Sequence, residues 1–266
     1  MSAVEILSPV RGQTFPDEWY DASDSSHFWF RWRLEVLKRA LTDTGVASGS
    51  RLAALDVGCG SGVLAAQLEA ATGWTVDATD LNMPALERCS PRRGRTLYYD
   101  VTTERTELLE RYDAVILFDI LEHLSDPRSV AASALRHLRT GGMLLVNVPA
   151  LPALTSAYDR AAGHLRRYTP DTLLSELDGL GVETRVVRYW GLSLVPLLVL
   201  RKLLLAGGGP RTIDRGFRPP LQTLNAALVA LMRLETAVLR APPLGTSVLY
   251  AGIKTGSEAP PGTPTG

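Results

Sequence analysis

Apolar residues fall along this chain in short unbroken runs, and between the runs they recur at helical spacing. Leu52 to Val57 is such a run and reads as a strand buried on both faces, followed by good helix formers from Val63 to Ala71. Trp74 to Asp80 reads as a second strand, and Pro84 to Cys89 as a short helix with proline in its first turn. Thr96 to Tyr99 gives a third strand and Tyr112 to Phe118 a fourth. Pro127 to Leu138 is the next helix with Gly141-Gly142 as its stop, then comes a fifth strand from Met143 to Val148. Thr169-Pro170 opens a helix to Leu177, with Thr169 as N-cap, and a sixth strand follows at Val182 to Tyr189. Such alternation predicts an α/β fold, a doubly wound parallel sheet with ligands at the carboxyl ends of the strands.

The first strand runs into Asp56-Val57-Gly58-Cys59-Gly60-Ser61-Gly62. Alternating glycines at a strand-to-helix junction allow a sharp turn and a close approach to a ligand, because no Cβ stands in the way. A phosphate loop would end in Gly-Lys-Ser/Thr, and here Ser61-Gly62-Val63-Leu64 follows. A dinucleotide fingerprint needs glycine where Val63 stands, so the spacing is G-x-G-x-G.

That pattern resembles motif I of the class I S-adenosylmethionine-dependent methyltransferases, met here by Asp56, Gly58, Gly60 and Gly62. The resemblance implies a Rossmann-like seven-stranded sheet, mostly parallel with an antiparallel last strand, and S-adenosylmethionine as cofactor. It places cofactor contacts at Asp56, Gly58, Cys59, Gly60 and Gly62, at Asp80 and Leu81 after the second strand, and at Asp100 and Val101 after the third. Phe118 and Asp119 after the fourth strand complete the core set. Asp80 would hold the ribose hydroxyls, and Asp100 the exocyclic amine of adenine. A solvent-facing strand-end acid is the other reading of Asp100.

Asp119-Ile120-Leu121-Glu122-His123-Leu124 is similar to the family's Asp-x-x-Glu-His-Leu segment, where the chain passes the methyl donor. Phe28-Trp29-Phe30-Arg31-Trp32-Arg33 is similar to a helix before the core in the type 11 group, whose rings cover the cofactor. Arg33, or else Arg31, would then meet the carboxylate of its methionine half. A helix stapled to the core by aromatics, Trp19 and Tyr20 included, explains the same residues. The run Gly163-His164-Leu165-Arg166-Arg167-Tyr168-Thr169 has a counterpart in that group and sits where a lid would lie, its two guanidiniums able to grip an acidic acceptor or else forming a solvated charge pair.

Balanced charge changes the picture of partners. Lys+Arg and Asp+Glu both number 28, so no electrostatic footprint of a nucleic-acid binder exists. Two cysteines exclude a disulfide scaffold and suit a reducing cytoplasm, and Met1 to Val10 does not read as a secretory signal. No H-E-x-x-H or His/Cys cluster marks a metal, although ligands converging from distant loops would leave no such spacing. Among four histidines, His123 and His164 are the candidate bases or else hydrogen-bonded structural residues, and His137 is expected on a solvated helix face.

The last core strand, Ser247 to Ile253, arrives late, so the chain divides into five parts. Residues 1–50 form an aromatic helical segment over the cofactor, 51–190 the core, 191–245 a helical insertion, 246–254 the last strand and 255–266 a disordered tail. Leu192 to Leu200 is too short and too interrupted to span a membrane. Leu221, Leu224, Leu228, Leu231, Met232 and Leu239 recur as one apolar face, and between Arg201 and Arg240 seven basic residues face two acidic ones. Residues 192–240 therefore suit a hairpin lying peripherally on the inner face of an anionic membrane, or else an acceptor-covering cap or a dimer contact. The expected activity is methyl transfer to oxygen of a small-molecule or a lipid- or glycan-linked acceptor. A non-catalytic cofactor-binding partner or sensor, and a nicotinamide-dependent oxidoreductase, are its rivals.

Overall fold

The structure is a computed structural model of the 266-residue chain and describes residues 3–10, 27–47, 49–204 and 222–256. Its strands are β1 (Val4–Ile6), β2 (Ala53–Val57), β3 (Thr75–Asp80), β4 (Thr96–Tyr98), β5 (Tyr112–Phe118), β6 (Leu138–Pro149), β7 (Val182–Trp190) and β8 (Ser247–Lys254). They form one sheet in the order β1-β4-β3-β2-β5-β6-β8-β7, in which β8 runs antiparallel to both neighbours. The expected α/β sheet is present with one strand more than seven. The extra strand is β1, three residues pairing with the edge strand β4 from Val4↔Thr96 to Ile6↔Tyr98. Backbone pairing at an edge needs no long apolar run, which is why Val-Glu-Ile carries no signal of it.

Helices α1 (Phe28–Asp43) and α2 (Val63–Thr72) cover one face of the sheet. Following the short α3 (Met83–Glu87), helix α4 (Pro127–His137) and, beyond α5 (Ala157–Ala161), helix α6 (Pro170–Leu177) cover the other. Strand alternation decides which side chain goes where: Ala114, Ile116 and Phe118 of β5 join the α1 side, and Val115 and Leu117 the α4 side.

Two expectations at the end of α4 are corrected. The helix stops at His137 because Leu138 is already extended, and the two glycines lie within β6. A Cβ on Gly142 would stand 2.6 Å from Leu138 Cδ1 and 2.8 Å from the Arg139 carbonyl, so that glycine serves a tight fold-back. His137 is fully buried, 2.8 Å from the Tyr99 hydroxyl, because the last turn of α4 faces the sheet.

The insertion supplies α7 (Val195–Leu204) and α8 (Gln222–Val238). Helix α8 packs on α1, where Trp32 Nε1 donates to Thr236 Oγ1 at 3.1 Å and the Phe28 amide to Asn225 Oδ1 at 2.9 Å. Glu235 accepts the amides of Gly191, Leu192 and Ser193 and ties α8 to the turn before α7. The expected apolar stripe divides: Leu228 and Met232 are buried, whereas Leu224, Leu231 and Leu239 are exposed. Thr255, expected in the disordered tail, is held by the Gly181 carbonyl through its amide at 2.8 Å. Trp19, Tyr20, Leu221, the basic residues between 205 and 221, and 257–266 lie outside the described residues. No helix among the described residues is long and apolar enough to cross a membrane.

Candidate active site

A cavity of about 1060 Å³ opens at the carboxyl ends of β2 to β6, walled by α1 on one side and by α7 and α8 on another. The glycine loop forms its floor. Gly58 has φ +71°, and a Cβ there would lie 2.6 Å from Ile120 Cδ1. The amides of Gly58 and Cys59 donate to the Thr79 carbonyl at 2.8 and 3.0 Å, and the Gly60 amide donates to Asp80 Oδ2 at 2.8 Å. Asp80 Oδ1 takes the Asn82 amide at 2.9 Å, so one carboxylate fixes the loop and the start of α3 together. Burial pushes the Asp80 carboxyl above its ordinary range. Gly58, Cys59, Gly60, Asp80 and Leu81 all line the cavity.

Asp56 and Gly62, expected beside the cofactor, do not line the cavity. Gly62 caps α2 in the left-handed conformation, and a Cβ there would meet Cys89 Sγ at 2.9 Å. Asp56 is buried at the end of β2, its Oδ2 without a hydrogen-bond partner among the described residues. Burial pushes its pKa from 3.8 up to about 7, against the pull of Arg33 and Arg92. A carboxyl that is weaker in the folded state binds its proton more tightly there. Its contribution is therefore full in acid, below the unfolded value, and is lost as pH rises through 7. Between pH 5 and pH 8 wild type should lose roughly 2 to 3 kcal/mol relative to Asp56→Asn. Urea unfolding of both proteins at the two pH values measures this, and parallel pH profiles would contradict it.

At the end of β5, Asp119 takes φ +56°, a conformation tolerated by aspartate and fixed by the hydrogen bond that its backbone N–H donates to the Asn147 carbonyl at 2.8 Å. Asp119 accepts Arg33 Nη1 at 2.5 Å on one oxygen and Asn147 Nδ2 at 2.6 Å on the other. Asn147 Oδ1 in turn accepts Trp190 Nε1 at 2.8 Å, and Trp190 stacks on Trp29 at 4.6 Å between ring centroids. The aromatic segment and β5 are thus joined through one polar relay. Arg33 is buried and lines the cavity with its Nε unpartnered among the described residues, whereas Arg31 is exposed. Phe118, Asp119, Asp100 and Val101 line the cavity as well. Asp100 Oδ1 is oriented by the Thr102 amide at 2.9 Å and the Thr102 hydroxyl at 2.6 Å.

The opposite wall brings His123 and His164 together, their rings edge to face with centroids 4.7 Å apart. Burial, with the neighbouring His164 charge, lowers the His123 pKa to about 4, so its ring is neutral at pH 7. His164 Nδ1 lies 3.2 Å from Asp159 Oδ1. Asp159 is fully buried at the capping box of α5, where Arg167 Nε and Nη2 donate to it at 2.8 and 2.6 Å. Burial alone would raise the Asp159 pKa, but the His164 hydrogen bond and the Arg167 charge hold it well below the carboxylate range. The expected pair of guanidiniums for an acceptor is not available. Arg167 is engaged by Asp159, and Arg166 leaves the cavity for the Ser125 carbonyl at 3.2 Å and Glu176 at 3.6 Å.

Glu122 on the cavity wall and Asp159 behind His164 were not singled out by sequence reasoning, whereas the leucines of α7 and α8 that line the cavity belong to the stretch read as a membrane hairpin or an acceptor-covering cap. Glu122 stood within the Asp-x-x-Glu-His-Leu segment, and that was its only signal. Its carboxyl is buried, pushed well above the ordinary range by burial and then by the Asp119 charge.

A family model described as a methyltransferase domain matches residues 18–185 of this chain. The chain belongs to that methyltransferase family. Among curated relatives of this methyltransferase-family chain, the ubiquinone biosynthesis O-methyltransferase of Rickettsia akari is 30% identical over 43% of the chain and 47% of its own length. The protein of that name from Nitrosomonas europaea is 32% identical over 47% and 54%. The chain therefore spans about half the length of the curated relatives it matches. A SAM-dependent methyltransferase from Archaeoglobus fulgidus superposes with a TM-score of 0.50 at 16% identity, covering 83% of this chain and 94% of that one, a likeness of fold.

Proposed function

We propose that this chain moves a methyl group from S-adenosylmethionine to a hydroxyl oxygen of an acceptor with an apolar portion. One observation carries the reading: a single cavity joins the glycine cradle and Asp80 to the His123–His164 wall and then to a rim of leucines. The cradle suits the cofactor because Arg33 lines the cavity with its buried Nε unpartnered among the described residues. Asp80, with lone pairs remaining beyond its two amides, would hold the ribose hydroxyls, Asp100 the adenine amine, and Arg33 the methionine carboxylate. When bound, S-adenosylmethionine supplies an electrophilic methyl group on a sulfonium.

The chain's own part is positioning and proton handling. A neutral His123 and a His164 oriented by Asp159 take the proton of the acceptor hydroxyl, a contribution of about a hundredfold or more. His164→Ala should therefore lower turnover at least tenfold and leave calorimetric affinity for S-adenosylmethionine near wild type. Loss of cofactor binding with turnover per bound cofactor preserved would overturn that role. Turnover with a labelled methyl group, on hydroxylated aromatic and lipid-linked acceptors, separates an enzyme from a cofactor-binding sensor.

The leucine rim supports a lipid-linked acceptor. Leu197, Leu204 and Leu224 line the cavity and are also 47%, 74% and 52% exposed. Leu203, Leu234 and Val238 are exposed on the same two helices, within a segment carrying seven basic residues against two acidic ones. In this reading α7 and α8 rest in the headgroup layer of an anionic membrane with the cavity mouth toward it, each basic residue near the surface adding about 1 kcal/mol. The protein should cosediment with anionic vesicles at low salt and be released at high salt. Protein left in the supernatant with both anionic and neutral lipid would make the two helices an acceptor cap only.

A further inference from the structure

We propose that Glu122, His123 and His164 form a binding site for a divalent transition-metal cation in the acceptor half of the cavity. One ligand atom from each of the three lies within 4.8 Å of the others. Tetrahedral ligands at about 2.0 to 2.1 Å from a metal stand about 3.3 Å apart, so closure needs movements of about 1 Å, within reach of side-chain torsions.

Three further observations point to a cation. Glu122 is 1% exposed, and its Oε2 has no hydrogen-bond partner among the described residues. A buried carboxyl oxygen without a partner is costly, and a metal ion bound in exchange for the carboxyl proton is one of the few groups that compensates it. His164 has its Nδ1 on the buried Asp159, which leaves Nε2 for the cavity and reproduces the carboxylate–histidine–metal arrangement. Asp159 is itself held by Arg167 and the Ser156 amide, so the ring has a fixed orientation before any ligand arrives.

Two imidazoles and one carboxylate favour zinc, cobalt or iron(II) over magnesium, which prefers oxygen ligands. Three protein ligands leave at least one position open, facing the cavity. Resting on the reading given above, that position takes the acceptor hydroxyl oxygen. The O–H bond then breaks with the oxygen held on the cation, and the proton leaves to water at the cavity mouth. With the cation bound, the two histidines serve as its ligands and no longer as bases, and the proton that they take in its absence goes to water instead.

The full chain, stripped by chelator and dialysed, is titrated with Co2+ and then with Zn2+. The result expected is one equivalent of Co2+ with a visible absorption band, displaced by Zn2+. Glu122→Gln and His164→Ala should each weaken Co2+ binding at least tenfold, with S-adenosylmethionine affinity unchanged. If His164→Ala fails to fold, the near-isosteric Glu122→Gln carries the test. Absence of stoichiometric Co2+ binding, or a band indifferent to both substitutions, would overturn the site. Cofactor binding without metal binding sinks this inference alone, and metal binding without cofactor binding sinks the methyltransferase reading alone.

Discussion

Gly60→Val is expected to remove calorimetrically detectable S-adenosylmethionine binding from a protein that still folds, and Asp80→Ala to weaken binding roughly five- to hundredfold. Gly60 has φ +55°, where a β-branched residue is strained, and its amide is one of two that orient Asp80. A valine there tilts the loop and puts a side chain on the cavity floor, so the loss should be at least a hundredfold. Asp80→Ala unpairs the ribose hydroxyls, worth about 1 to 3 kcal/mol, and frees the Gly60 amide as well. Thermal unfolding of both variants near the wild-type temperature would confine the effect to the site. Wild-type affinity in both would show that the cofactor lies elsewhere.

Asp159→Ala should have the largest effect on stability, a loss of about 3 to 5 kcal/mol in urea unfolding. The substitution leaves the buried Arg167 guanidinium with the Ala150 carbonyl at 2.8 Å as its hydrogen-bond partner among the described residues and removes the anchor of His164. Replacing Arg167 by methionine in the Asp159→Ala background should recover part of the loss, because the uncompensated charge goes with it. An Asp159→Ala protein as stable as wild type, or a double variant no better than the single one, would mean that the pair contributes little.

Most of the sheet was legible in the sequence because buried parallel strands must be apolar on both faces, and Leu52 to Val57 or Tyr112 to Phe118 have no other reading at that length. The antiparallel β8 was legible only through family resemblance, since a run such as Ser247 to Ile253 has no direction of its own. Strand β1 left no trace because backbone pairing at an edge asks little of side chains. The glycine-loop wall of the cavity was legible for a local reason: Gly58, Cys59, Gly60, Asp80 and Leu81 follow directly from strand ends, and all of them line it. Asp56, next to last in β2, is buried and does not line the cavity, which its place in the motif does not reveal.

The wall formed by Glu122, His123 and His164 was less legible, since it arises by convergence. His164 reaches His123 and Glu122 only because Asp159 and Arg167 fold the segment after β6 back over β5. The Arg33–Asp119–Asn147–Trp190 relay likewise joins four elements whose spacing in sequence carries no periodicity. The stripe on α8 was readable as a stripe, but which of its leucines meet α1 depends on a helix that packs from the far end of the chain.

If the glycine cradle and the acids around it form an S-adenosylmethionine site, the wild-type protein binds that cofactor and not a dinucleotide. Calorimetric titration of the wild-type protein with S-adenosylmethionine, and separately with a nicotinamide dinucleotide, tests it most directly. A single saturable site for S-adenosylmethionine with no heat from the dinucleotide is the predicted result. Saturable binding of the dinucleotide, with none of S-adenosylmethionine, would contradict the account.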